Sequence, residues 1–179
     1  VDPSGKGKDQ TAISCVKMLN GNLYVTECLG LSGGYTDPVL LKISRLAKEN
    51  NINTILIEQN FGGGMFAELL KPFISRIHPC QIEDIRNNKT KELRIIDTLE
   101  PVMNSHRLII DRKVIEKDFR SNPQETPERR LKLQLVYQLS RISRHRGSLV
   151  HDDLVDSLAG AVAYWTDYMA QNEDLNMAR

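Results

Sequence analysis

The chain has 179 residues, 26% charged and 40% hydrophobic, with a formal net charge of +1. That is enough for one domain with a sizeable core, and it excludes a disordered or low-complexity chain. The longest apolar runs, such as Ile55-Leu56-Ile57, are too short to span a bilayer, and no signal-peptide pattern opens the chain, so a soluble, intracellular protein without membrane contact is expected.

Cys15, Cys28 and Cys80 are odd in number and widely spaced, with no second Cys or His at zinc-ligand spacing. They read as core or surface thiols, not as a disulfide framework or zinc site. The near-zero net charge hides a segregation. Residues 76–150 carry sixteen Lys or Arg against ten acids, whereas residues 151–179 carry one against six. A basic middle beside an acidic end suits a protein that holds phosphates in one place and metal in another.

In chain order, Val1-Asp2 reads as the end of a strand whose earlier apolar residues are missing, as in a domain cut from a longer protein. Asp2-Pro3-Ser4-Gly5-Lys6-Gly7-Lys8-Asp9 lacks the spacing of a nucleotide phosphate loop. It reads as a strand-end acid and a Gly/Lys loop, with Asp9 able to fold back toward a metal. Thr11–Leu19 and Leu23–Leu31 read as an antiparallel pair turned at Asn20-Gly21-Asn22.

Pro38 starts an amphipathic helix that ends near Asn50. Thr54–Glu58 is apolar on both faces, the pattern of a central parallel strand, and leads through Gly62-Gly63-Gly64 into a helix from Met65 to Ile77. Cys80–Ile85 is strand-like, 92–104 helical and 107–111 strand-like again. Ser121–Pro127 is a polar loop, and 128–144 reads as one helix with Leu131, Leu135 and Leu139 inward. Residues 172–179 read as a flexible tail after a single domain over 1–171.

The most telling stretch is His151-Asp152-Asp153-Leu154-Val155-Asp156-Ser157-Leu158. It sets three carboxylates at the start of a helix whose Leu154, Val155, Leu158, Val162 and Trp165 form an apolar stripe. Helix capping explains one acid. Adjacent carboxylates repel unless a cation sits between them.

Asp2 and Glu58 at strand ends, with Asp153 and Asp156 on the last helix, can meet at one edge of an α/β sheet. That is the layout of ribonuclease-H-like (RuvC-type) nucleases, with a mixed central sheet flanked by helices. Such sites place two divalent cations to flank a phosphoryl displacement, and carboxylate ligands suit Mg²⁺ or Mn²⁺ over zinc. Lys89, Lys91 and Arg94 are the expected DNA contacts, with Arg129, Arg130 and Lys132 as a weaker second patch.

Four segments together resemble the nuclease domain of phage terminase large subunits, especially those of T7-like phages. They are 1–9, 57–66 (IEQNFGGGMF), 95–108 (IIDTLEPV, then SHRL) and 151–159 (HDDLVDSLA). The resemblance implies metal-dependent cleavage of concatemeric double-stranded viral DNA during genome packaging, in the cytoplasm of the infected bacterium. It implies metal ligands at Asp2, Glu58 and the Asp152-Asp153 pair, with Asp153 favoured as the third catalytic acid and Asp9 auxiliary; Asp156, where helix capping competes with direct ligation, is expected to matter less. An N-terminal packaging ATPase domain, a portal and a small terminase subunit are the implied partners of the full protein. Two other readings stay open: a RuvC-like Holliday-junction resolvase using the same acids, and a non-catalytic DNA-binding module.

Overall fold

The computed structural model describes residues 1–4, 10–58, 64–86 and 90–177, with side chains as far as Gln171. Strands β1 (Thr11–Leu19) and β2 (Asn22–Leu31) form an antiparallel hairpin, with Thr11 opposite Leu31 and a bulge between Cys15 and Val16. The turn is set by Asn20 and Gly21, at φ 51° and 75°. Two successive residues with positive φ match the right-handed twist of the flanking strands, and Asn-Gly adopts that conformation readily.

Helix α1 (Asp37–Glu49) leads to β3 (Thr54–Glu58), and α2 (Met65–Ile77) carries the chain to β4 (Gln81–Ile85), parallel to β3. Helix α3 (Lys91–Asn104) leads to β5 (Leu108–Ile110), parallel to β2. The chain closes with α4 (Arg112–Arg120), α5 (Pro127–Lys132), α6 (Leu135–Arg141) and α7 (Asp153–Met177).

The β1-β2-β5 and β3-β4 sheets are joined by two residues. Asp2 exchanges both backbone hydrogen bonds with Ala12, at 2.9 Å each. On its other side Val1 accepts from the Glu58 N–H at 3.1 Å, and its amine donates to the Leu56 carbonyl at 2.7 Å. The strand order across this seam is therefore β5-β2-β1-(Val1-Asp2)-β3-β4.

Side chains alternate across the sheet. Ile13 and Cys15 pack with α1 and α2 residues such as Leu40, Ile43, Phe66 and Leu70. Ala12 and Val16 pack with Ile95, Leu99, Leu135 and the buried face of α7, Leu154, Val155, Leu158 and Val162. Trp165 closes the second layer by donating its indole N–H to the Val16 carbonyl at 3.0 Å.

Three features differ from the sequence expectations. Residues 112–120, assigned no element from the sequence, form α4. The helix expected over 128–144 is two short helices broken at Leu133-Gln134, and Leu131, expected inward, is 49% exposed. The break is held by tertiary contacts. Buried Asp118 of α4 accepts from the Leu135 and Val136 N–H groups at 2.8 and 3.1 Å, capping α6, and Gln138 reaches the Lys132 carbonyl and the Val155 N–H. The α7 backbone stays helical through Met177, into the segment read as a tail.

Candidate metal centre

Asp2 is fixed by the seam between β1 and β3. Glu58 ends β3, and Asp156 lies in the first turn of α7, its N–H bonded to the Asp152 carbonyl at 2.9 Å. Carboxylate oxygens from these three residues lie within 4.8 Å of one another. Glu58 is 6% and Asp156 2% exposed, so water screens their charges poorly.

Burial pushes the Asp2 carboxyl up to about 7; Asp156, Glu58 and Asp153 add to the rise and Lys91 opposes it. Asp156 is also raised, first by burial, against the pull of Lys91 and Arg94. Burial lowers the pKa of the Val1 amine behind Asp2.

Two cations from the first turn of α3 reach into this cluster. Arg94 lies 2.7 Å from Asp156 Oδ1 and 3.5 Å from Glu58 Oε1. The Lys91 ammonium lies 2.8 Å from Asp152 Oδ1 and 3.1 Å from Asp156 Oδ2. Burial disfavours the charge on Lys91, but Asp156 and Asp152 outweigh it and hold the ammonium above its ordinary range. Each Asp156 oxygen is thus held in an ion pair, Oδ1 with Arg94 and Oδ2 with Lys91.

Of the acids named from the sequence, the fold therefore gathers Asp2, Glu58 and Asp156. Asp152 sits at the rim on Lys91. Asp153, favoured as the third acid, heads α7 close enough to raise the Asp2 pKa but falls outside the trio. Asp9 and Lys89 lie outside the described residues. Arg129 pairs with Glu125 and Lys132 with Glu128, while Arg130 donates to the Phe119 carbonyl. Sequence reasoning assigned Lys91 and Arg94 to DNA and missed that they face the acids. Their spacing of three on a helix start is the signal that they share a face.

The oxygens present fit a hard divalent cation. The trio offers three carboxylates and no His or Cys, whereas a zinc site would draw on nitrogen or sulfur.

Strand order, helices on both sheet faces and carboxylates gathered at the sheet seam define a ribonuclease-H-like domain. Residues 1–108 match the family model for the ribonuclease-H-like domain of the bacteriophage T7 terminase, and the chain belongs to that family. It is 38% identical over 164 residues to the terminase large subunit of Enterobacteria phage T3, a match covering 92% of this chain and 28% of that relative. Its fold is similar to that of a mutant nuclease domain from the large terminase subunit of bacterial virus Sf6, solved with manganese and beta-thujaplicinol. That similarity has a TM-score of 0.53 at 14% identity and covers 90% of this chain and 85% of the other. Among the described residues, no helix is long and apolar enough to cross a membrane.

Proposed function

We propose that this domain is the endonuclease of a terminase large subunit, hydrolysing phosphodiester bonds of concatemeric double-stranded viral DNA during packaging with two Mg²⁺ or Mn²⁺ ions. The observation that carries the reading is the meeting of Asp2, Glu58 and Asp156, drawn from three distant segments into a poorly screened cluster. Carboxylates this close are unfavourable without compensating positive charge. Asp2, Glu58 and Asp156 would hold the ions, with Asp152 and Asp153 at the rim. Bound divalent cations supply Lewis-acid stabilisation of the charge that develops on phosphate and lower the pKa of water.

The chain's own groups do the positioning. The seam fixes Asp2 through backbone bonds on both sides, and the buried first turn of α7 holds Asp156 opposite it. The family affiliation supports DNA as substrate, and the T3 relative, of which the match covers 28%, is long enough to hold further domains. The proposed partners are a packaging ATPase domain of the full protein, a portal and a small terminase subunit, in the host cytoplasm. Lys91 and Arg94 form the proposed main DNA contact, with Arg129, Arg130 and Lys132 weaker.

Plasmid cleavage tests the reading. The purified domain should nick and linearise plasmid in Mg²⁺ or Mn²⁺ and not in EDTA. Asp156→Asn and Glu58→Gln should each lower the rate at least about a hundredfold, a loss comparable to removing a key transition-state contact, with the circular dichroism spectrum retained. Asp153→Asn should cost less than Asp156→Asn. Wild-type cleavage by Asp156→Asn would sink the assignment.

A further inference from the structure

We infer that Arg94, with Lys91 beside it, is an internal counter-ion that must leave the carboxylate cluster when a divalent cation enters, so that metal and DNA phosphate bind with positive coupling. The inference rests on the metal-dependent reading above and concerns what the cluster's own cations do in it. Each Asp156 oxygen faces one of them, Oδ1 at Arg94 and Oδ2 at Lys91, and Arg94 also faces Glu58. A divalent cation held by Asp156 and Glu58 needs those same oxygens. Two like charges cannot share them at contact distance in a poorly screened site.

The displaced groups then need a new anion. The Arg94 side chain is only 12% exposed, and an unpaired guanidinium that buried is costly. Its planar fork matches phosphate oxygens as well as carboxylate oxygens, and Lys91, 38% exposed, stands on the same helical turn at the rim. A phosphodiester at the rim would offer both groups a replacement partner, lowering the cost of metal entry. By linkage, metal would strengthen phosphate binding by the same factor. If instead Arg94 served to hold Asp156 and Glu58 in place for the metal, its removal would weaken metal binding.

The two roles predict opposite signs. Free Mn²⁺ would be measured by electron paramagnetic resonance during titration of the metal-free wild type, Arg94→Gln and Lys91→Gln, without DNA. Arg94→Gln should bind Mn²⁺ about tenfold tighter than wild type, within the usual span of couplings between sites, and Lys91→Gln a few-fold tighter. Equal or weaker binding by Arg94→Gln overturns the inference while leaving the nuclease reading intact. Absence of Mn²⁺ binding in all three proteins overturns both. Should Arg94→Gln lose its circular dichroism spectrum, Lys91→Gln carries the same comparison, with equal or weaker binding as the overturning result. In a second arm, Ca²⁺ titrated calorimetrically should bind wild type several-fold tighter with a short duplex present. No effect of duplex on wild type would refute the coupling.

Discussion

Lys91 and Arg94 at the start of α3 and the basic run Arg129, Arg130 and Lys132 of α5 use the same residue types to different ends. The α5 cations find partners close in sequence, Glu125, Glu128 and the Phe119 carbonyl. Such local pairs within one short segment add little to stability. Arg94 meets Asp156, 62 positions away, with the carboxylate 1% exposed. Its contacts tie α3 to α7 and to the end of β3. Where the partner comes from, and how much water reaches the pair, decides whether a positive charge decorates this fold or helps to organise it.

The sharpest way to break this contrast is to remove one cation from each set in EDTA. Arg94→Met should lower the unfolding free energy by about 3–5 kcal/mol, the usual cost of stranding one member of a buried pair, whereas Arg130→Ala should leave the denaturation midpoint nearly unchanged. Equal effects in chemical denaturation would erase the distinction. Saturating Mn²⁺ should restore much of what Arg94→Met loses, because bound ligand stabilises the native state.

Acidity sharpens the same point at Asp2. Its folded value of about 7 stands above the ordinary 3.8, so the folded state holds the proton more tightly. The contribution to stability is fully present below about 3.8 and is lost as pH rises through about 7. The melting temperature of metal-free protein should therefore fall between pH 5 and pH 8, and Asp2→Asn should flatten that fall. A profile unchanged by the substitution would show that Asp2 does not titrate in this window.

DNA binding ranks the two basic sets directly. In Ca²⁺, the slope of log K against log salt should flatten by about one unit in Lys91→Ala, as expected for one lost phosphate contact on duplex DNA, and by less in Lys132→Ala. A larger effect at Lys132 would reverse the proposed ranking. The smallest effect concerns the thiols. Burial pushes Cys15 up to about 11 and Cys28 up to about 12, while Cys80 is partly exposed. A thiol reagent at neutral pH should label Cys80 first in the native protein.

Elements whose signal is local were legible in the sequence. The Asn20-Gly21 turn, the doubly apolar β3 and the amphipathic α1 each carry their own pattern. Helix α4 does not, because its inward positions are Val114 and Asp118, and an acid facing inward to cap another helix breaks the apolar period. The spacing of Leu131, Leu135 and Leu139 fits one helix, yet the caps from Asp118 and Gln138 come from contacts that only the folded chain makes.

The site shows the same division. Strand ends pointed to Asp2 and Glu58, as they stand in the structure. Choosing between Asp153 and Asp156 requires the rotation of α7 about its axis. That rotation is set by packing Leu154, Val155, Leu158 and Val162 against the sheet, and it turns Asp156 inward.

The seam has a further consequence for hydrogen exchange. The Val1 amine opens into a cavity of about 490 Å³ between the facing edges of β1 and β3. Backbone groups alternate along a strand, so the Ser14, Thr54 and Leu56 amides point toward this gap beyond the bonds that Val1 and Asp2 make. A segment joined ahead of Val1 that continued its strand would run along those edges. Slowed deuterium uptake at the three amides would thus report whether a fused leader has taken up an extended conformation there or hangs free in solvent.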